Sequence, residues 1–237
     1  MTSSNLNFLA IDTETTGLSI SEDRIIQIGF SMFVEGKCVH TESHYLNQEI
    51  ENKAFDVNGI TPAMIAGGSP PYEIFIMLQR VLQKKPRRIL IYNAPFDLAF
   101  IAMQFQLLEL DWDFRPITII DPLVIWREFH KFRPGRLIDA ADHYRVDNPK
   151  EHDAGADSAT AGHIYCQMYS RYGQLRTTYS NKMFRSWYND WAYGFMQYLI
   201  RKRMAVDPSD FQWPVREELM CSPNLLQIND ESQQSLW

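Results

Sequence analysis

The chain has 237 residues, of which 45% are hydrophobic and 22% charged, and its formal net charge is −6. These values are typical of one sizeable globular domain, exclude global disorder, and argue against a broad basic surface that binds nucleic acid by charge alone. Because the sequence has no apolar run near the roughly 20 residues of a membrane span and no signal-peptide pattern at its N-terminus, the expected location is the cytoplasm, with no membrane partner.

The first predicted element is a buried strand that ends in two carboxylates. Residues 8–11 are apolar, and every second side chain along a strand points the same way, so Asp12 and Glu14 share a face. Two adjacent anions in a low-dielectric neighbourhood are costly unless a cation pairs with them. The Thr-Thr-Gly at 15–17 then turns the chain, which leaves the pair at the strand end.

The following elements predict an α/β fold with a mixed five-stranded sheet. β-branched and apolar residues predict further strands over residues 24–34, 38–46, 89–92 and 117–120. Capping residues and helical spacing predict helices over residues 62–67, 72–83, 94–110, 122–129, 136–144 and 154–172. Early consecutive strands followed by strands that alternate with helices indicate a mixed sheet flanked by helices.

An aromatic-rich segment follows residue 173 and precedes a basic run at 201–203. Its large side chains are Trp187, Tyr188, Trp191, Tyr193, Phe195, Tyr198 and Leu199. We expect one or two helices that cover the domain or form a dimer interface; a platform for stacking single-stranded bases is the alternative. The predicted division is a domain over 6–172 and a helical C-terminal extension over 173–237, whose polar end is frayed from residue 222.

Two further carboxylates are candidates for the same site as the opening pair. Asp97 follows a strand and Asp157 begins a helix, where an aspartate taken singly often only favours the helix dipole. Together with Asp12 and Glu14 they lie at strand ends and helix starts, where open sheets place ligand sites. Such a cluster suits Mg²⁺ or Mn²⁺ and indicates phosphoryl chemistry. His152, although a lone loop histidine is usually only solvated, would reach the same rim and take a proton from water.

Three motifs resemble those of the DEDDh class of 3′-to-5′ exonucleases. They are DTETTGL at residues 12–18, NAPFD at 93–97, and His152 with Asp157, in the family order and at family-like spacing. This class belongs to the ribonuclease-H-like superfamily, with the proofreading subunit of bacterial DNA polymerase III and ribonuclease T. The resemblance implies a ribonuclease-H-like domain over 6–172 that releases nucleoside 5′-monophosphates from nucleic acid 3′ ends.

The resemblance also implies a role for each matching residue. His152 would be the general base, and two Mg²⁺ or Mn²⁺ ions would be held by four carboxylates: Asp12, Glu14, Asp97 and Asp157. The terminal nucleotide would be bordered or supported by Thr15, Leu18, Asn93 and Phe96. A polymerase, or a second copy of the chain, is the partner expected at the C-terminal extension.

The sequence departs from the family pattern at two places. Residues 58–60 read Asn-Gly-Ile where many members carry His-Gly-Ile, and residues 91–93 read Ile-Tyr-Asn where many carry Gly-His-Asn. These changes concern base contacts and the preference between nucleic acids, and leave the metal-binding carboxylates intact. Single-stranded DNA or an unpaired 3′ end is the favoured substrate. Because Asn-Gly-Ile is similar to ribonuclease T-like members, trimming of RNA 3′ ends is the alternative.

Two other classes of protein are alternatives to an exonuclease. A non-catalytic partner-binding protein could use the same fold as a scaffold, but the presence of all five core side chains argues against it. A phosphatase with paired aspartates after a strand would need an aspartate where this chain has Glu14. The sequence therefore favours a metal-dependent exonuclease.

Overall fold

A mixed five-stranded sheet lies at the centre of the computed structural model, which describes residues 6–84, 88–131, 133–177 and 180–225. Its strands are β1 (Phe8–Thr15), β2 (Ile25–Val34), β3 (Lys37–Tyr45), β4 (Arg88–Leu90) and β5 (Thr118–Ile120). Their order across the sheet is β3-β2-β1-β4-β5. The first three strands are antiparallel neighbours, whereas β4 is parallel to both β1 and β5. The predicted mixed sheet is confirmed.

Helices flank this sheet. They are α1 (Phe55–Asn58), α2 (Pro62–Ala66), α3 (Pro71–Leu82), α4 (Ala94–Leu107), α5 (Pro122–Phe129), α6 (Leu137–Tyr144), α7 (Ala154–Arg171), α8 (Gln174–Thr177) and α9 (Asn181–Arg201). Two 3-10 turns follow, Pro208–Asp210 and Glu217–Leu219. Among the helices of the described ranges, none is both long and apolar enough to span a membrane.

Most predicted elements are present, with differences at their ends. Helix α4 stops at Leu107 instead of residue 110, because Glu109 takes a positive φ of 55° that ends the helix. Strand β4 stops at Leu90 instead of residue 92, because the chain turns there into a left-handed Asn93. The short helices α1 and α8 were not predicted, since about one helical turn leaves little periodicity to detect.

The C-terminal extension packs onto the domain with one face of α9. Phe184 and Tyr188 of α9 and Trp213 beyond it belong to the same buried cluster as the sheet residues. This confirms the prediction that part of the aromatic segment covers the domain, while Tyr193 and Tyr198 remain exposed. The boundary between residues 172 and 173 stays a prediction.

The sequence predicts a frayed C-terminal end from residue 222, but Ser222 itself is held in place. Ser222 is buried, and its N–H donates to the Trp112 carbonyl oxygen at 2.9 Å. Its hydroxyl also contacts the Asp111 carboxylate at 2.7 Å. The remainder of that prediction falls on residues 226–237, which lie outside the described residues.

Helix α7 approaches β2 so closely that only glycine fits at position 29. A Cβ on Gly29 would lie 2.1 Å from backbone atoms of Ala154. A hydrogen bond marks the same contact, since the Ala154 N–H donates to Gln27 Oε1 at 3.1 Å. Because Gly29 pairs with Asp12 across the sheet, the first turn of α7 is held beside the end of β1.

This contact makes Gly29→Ala strongly destabilising. The new methyl group would meet backbone, which cannot rotate away, so we expect the free energy of unfolding to fall by about 1–3 kcal/mol or more. Gly194→Ala on α9 is the matched control, because a Cβ there meets nothing within 4 Å and should stabilise the helix by about 0.5–1 kcal/mol. Urea unfolding of both variants measures the difference, and equal stabilities would contradict the close approach.

Candidate active site

The five side chains predicted for the site come to one edge of the sheet. β1 and β4 are parallel neighbours, so their carboxyl ends lie at the same edge. β1 presents Asp12 and Glu14, both half-buried, and the chain after β4 enters α4 with Asp97 in its first turn. Asp157 lies in the first turn of α7, and His152 in the loop that leads into it.

Glu14, His152 and Asp157 form the tightest group at this edge. One potential ligand atom from each lies within 4.8 Å of the other two. His152 Nδ1 is 3.9 Å from Glu14 Oε1, and the His152 backbone N–H donates to Asp157 Oδ2 at 3.0 Å. His152 has a φ of 62°, which is uncommon for a residue other than glycine, and half of its side chain is exposed. The imidazole is therefore accessible at the rim of the acidic edge.

Asp97 is held in a different way from this group. It is buried, and its Oδ1 accepts hydrogen bonds from the Thr13 N–H at 3.0 Å and from the Thr13 hydroxyl at 2.6 Å. Thr13 lies between Asp12 and Glu14 on β1. The strand that carries the opening pair therefore also orients the carboxylate of α4.

Desolvation raises the pKa of each carboxyl group, and repulsion within the group adds to this effect at Asp12 and Glu14. The pKa of Asp12 lies well above its usual range because of desolvation, then repulsion from Asp97 and Asp157. Desolvation and the Asp157 charge raise the pKa of Glu14 to about 8. Desolvation likewise raises the pKa of Asp97 to about 7 and raises that of Asp157. Within the described part of the chain, no lysine or arginine forms an ion pair with these groups.

The residues present fit a hard divalent cation. Carboxylate oxygens with one imidazole nearby are the donors that Mg²⁺ and Mn²⁺ accept. Desolvation raises the pKa values of Glu14 and Asp97, so ionising these carboxyl groups together is unfavourable without a cation beside them. A bound cation would lower these pKa values and hold the carboxylates in their ionised form.

Sequence reasoning missed the residues that orient the carboxylates. Asn148 Nδ2 donates to Asp157 Oδ1 at 2.8 Å, and no local pattern distinguishes Asn148 from an ordinary loop residue. Asn58, which the sequence singled out only as a departure from the family pattern, donates from Nδ2 to the Thr15 carbonyl at 3.1 Å and hydrogen-bonds Glu14. Asp121, interpreted only as the N-cap of α5, supports the turn before α4. Its position directly after the buried strand β5 was the available signal.

The predicted substrate-contacting residues fall into two kinds. Leu18 is 84% exposed and Asn93 is also exposed, so both are accessible beside the acidic edge. Thr15 is buried and its hydroxyl donates to the Gly17 carbonyl at 2.7 Å. Phe96 is half-buried, with its ring centroid 5.0 Å from that of Phe100. Their contacts with a nucleotide stay a prediction.

The strand order, the flanking helices and the acidic edge define a ribonuclease-H-like α/β protein. The RNase_T family, described as Exonuclease, matches residues 9–165. The chain belongs to this exonuclease family, which confirms the resemblance to DEDDh-type 3′-to-5′ exonucleases.

Individual proteins agree with this assignment. The 3′-5′ exonuclease DinG of Staphylococcus haemolyticus is 25% identical over 172 residues, which cover 71% of this chain and 19% of DinG. The DNA polymerase III subunit epsilon of Pasteurella multocida is 28% identical over 171 residues, 68% of this chain and 67% of that subunit. The zinc-bound complex of Escherichia coli exonuclease I with single-stranded DNA shares the fold, with a TM-score of 0.64 at 21% identity, over 72% of this chain and 42% of that one. The chain thus spans about a fifth of DinG.

The raised pKa of Glu14 predicts a stability profile for the metal-free protein. Between the ordinary pKa of 4.5 and the folded pKa of about 8, the folded state binds more protons than the unfolded state. The free energy of unfolding contributed by this group therefore falls as pH rises through that window. In EDTA, the Tm should decrease from pH 5 to pH 9.

Glu14→Gln separates this effect from other titrations. The neutral amide should raise the Tm at pH 9 by roughly 2–4 °C, corresponding to about 1 kcal/mol for a chain of this size. Glu51→Gln, at an exposed position, should leave the profile unchanged. Thermal scans across pH check both variants. A Glu14→Gln protein that is less stable than wild type at pH 9 would contradict the cause assigned to the pKa shift.

Proposed function

We propose that the protein is a metal-dependent 3′-to-5′ exonuclease that hydrolyses the terminal phosphodiester bond of a nucleic acid strand and releases nucleoside 5′-monophosphates. The observation that carries this proposal is the convergence of Asp12, Glu14, Asp97 and Asp157 at one edge of the sheet, with His152 at the rim. Membership of the exonuclease family and the names of the relatives support the same reaction.

The carboxylates would hold the cations, and the hydrogen bonds around them would keep them in place. Two Mg²⁺ or Mn²⁺ ions bound by Asp12, Glu14, Asp97 and Asp157 would supply charge stabilisation for the attacking water and for the leaving 3′-oxygen. Asp157 is oriented by the His152 backbone N–H, and Asp97 by Thr13. These hydrogen bonds limit the rotation of the carboxylates and so reduce the cost of ordering them when the cations bind.

His152 is suited to act as the general base. Its imidazole is half exposed, so water and a terminal phosphate can reach it. It would take the proton of the water as the oxygen bonds to phosphorus, while the bond from phosphorus to the 3′-oxygen breaks and that oxygen leaves to be protonated. Glu14 Oε1, 3.9 Å from Nδ1, stabilises the imidazolium that forms.

The accessible residues beside the acidic edge would border the terminal nucleotide. Leu18 offers an exposed apolar surface on which a base can lie, and Asn93 offers an exposed amide. Thr15 and Phe96 would shape the pocket from within the fold.

Single-stranded DNA, or an unpaired 3′ end, is the proposed substrate, with trimming of RNA 3′ ends as the alternative. Both departures from the family pattern involve side chains engaged inside the fold. Asn58 is buried, and its Oδ1 accepts from the Ile60 N–H at 3.1 Å. Tyr92 is buried, and its hydroxyl donates to the Gly135 carbonyl at 3.0 Å. Because both side chains are engaged within the fold, neither is free to contact a base.

The exposed face of α9 is the proposed site for a protein partner. Tyr193 is 65% and Tyr198 is 47% exposed, and they lie on the same helix as the buried Phe184 and Tyr188. Binding of a polymerase or of a second copy of the chain through this extension stays a prediction, as does a cytoplasmic location.

Removal of the proposed ligands should abolish the reaction. Asp12→Asn and Asp97→Asn should reduce nucleotide release from a 3′-labelled single strand to background, as should EDTA with the wild type. His152→Gln should lower kcat by about 10²- to 10⁴-fold. Asp139→Asn, in an ion pair with Arg136, and His40→Gln, at an exposed position, are the matched controls and should retain activity. Full activity of Asp12→Asn would contradict the proposed cation site, whereas no activity of the wild type with any divalent cation would favour the non-catalytic scaffold.

The preference between nucleic acids can be measured in a single assay. We expect single-stranded DNA and DNA with a mismatched 3′ end to be cleaved faster than RNA of the same sequence. Initial rates at equal 3′-end concentration give the ratio, and a strand with a blocked 3′ end controls for direction. Faster cleavage of RNA would replace the DNA proposal with RNA 3′-end trimming.

A further inference from the structure

A buried carboxylate that is not one of the four at the acidic edge supports the turn that begins α4. Asp121 follows β5, is 1% exposed, and accepts hydrogen bonds from four N–H groups. Its Oδ1 accepts from the Asn93 and Leu123 backbone N–H groups, each at 3.0 Å. Its Oδ2 accepts from the Ala94 N–H at 3.0 Å and the Trp213 indole N–H at 3.3 Å. An ionised carboxylate has about four acceptor positions, so all are occupied.

The turn held by Asp121 determines where Asp97 lies. Asn93, the N-cap of α4, is in the left-handed region with φ 69° and ψ 52°, and its own side chain makes no capping hydrogen bond. Such a conformation persists only where the surroundings fix it. Asp121 supplies that constraint through the N–H groups of Asn93 and Ala94. Asp97 follows in the same first turn, so the direction of its side chain depends on this contact.

Trp213 brings the C-terminal extension into this contact. It is 92 residues away from Asp121 in sequence and lies outside the region 9–165 that matches the exonuclease family. Its ring stacks on Phe184 with centroids 5.6 Å apart and an angle of 18° between the planes. Its carbonyl accepts from Arg185 Nε at 3.3 Å. The indole is therefore held in place from two sides.

The fourth acceptor position explains why this contact matters. Without the indole N–H, a buried carboxylate would keep one unsatisfied lone pair, which costs more than an ordinary lost hydrogen bond. The carboxylate can then relieve this cost only by shifting, and its other partners are the backbone groups of the Asn93 turn.

We propose that Trp213 is a positioning residue for the exonuclease site. Through Asp121 it fixes the turn at Asn93, and so orients Asp97, which makes the C-terminal extension necessary for full activity. This inference rests on the proposed function, because it assigns Asp97 to cation binding.

Trp213→Phe tests this inference. The variant keeps an aromatic ring that can stack on Phe184, and it removes the N–H donor together with the fused ring, a loss of volume that the control below shares. We expect kcat to fall about 10-fold with KM unchanged, and Mn²⁺ binding measured by calorimetry to weaken about 10-fold. Asp121→Asn should lower kcat and Mn²⁺ affinity by on the order of 100-fold each. The amide nitrogen that replaces one carboxylate oxygen is itself a donor, so it cannot accept the hydrogen bonds of the N–H groups that face it. Adding Trp213→Phe to Asp121→Asn should then have little further effect.

Trp112→Phe is the matched control. Trp112 is also buried, and its indole N–H donates to the Leu219 carbonyl at 2.9 Å, in the same C-terminal segment but away from Asp121. The variant should lose a similar amount of Tm, while kcat and Mn²⁺ affinity stay at the wild-type values. Such a result separates positioning of the site from general stability of the extension.

The possible outcomes distinguish this inference from the proposed function. If the wild type cleaves and Trp213→Phe keeps its kcat and Mn²⁺ affinity, or Trp112→Phe loses as much, the positioning role is wrong. If the wild type releases no nucleotide, the exonuclease proposal fails, and the Mn²⁺ measurement alone decides whether Trp213 supports Asp97. A wild-type protein that neither cleaves nor binds Mn²⁺ would overturn both.

Discussion

The desolvation of the carboxyl groups gathered at the end of β1, together with the repulsion among them, is the constraint on which the site depends. Desolvation and neighbouring charge raise the pKa of Asp12, Glu14, Asp97 and Asp157 together. Hydrogen-bond donors around the carboxyl groups, such as Thr13, lower these pKa values again, but they offer only partial positive charges. A divalent cation would supply the missing positive charge, so the arrangement that is unfavourable for the metal-free protein is the one suited to bind metal.

The elements that meet at this edge are each fixed by a contact with another part of the sheet. Helix α7 is held against β2 by the absence of a side chain at Gly29 and by the hydrogen bond to Gln27. Helix α4 is held by Asp121, which follows β5. The residues proposed for catalysis therefore depend on strands that carry none of them. This arrangement gives precise placement because backbone groups, rather than flexible side chains, are held.

The order of the elements and the candidate residues could be predicted because both depend on local patterns. Alternation of side chains along a strand places Asp12 and Glu14 on one face whatever the rest of the chain does. The rule that carboxyl ends of parallel strands share an edge then adds Asp97. The ends of α4 and β4 were predicted less well, because they depend on positive φ values at Glu109 and Asn93 that neither residue type requires.

By itself, the sequence determined the α/β class, the strand that carries the opening pair, and the identity of the five polar side chains, since each follows from residue type and short-range spacing. Only the tertiary structure decided which groups orient them. Asp121 has the same local pattern as any helix cap, and its contact with Trp213 joins residues 92 positions apart. Short-range patterns carry no information on such a contact, because it forms only when the extension packs over β5 and α5.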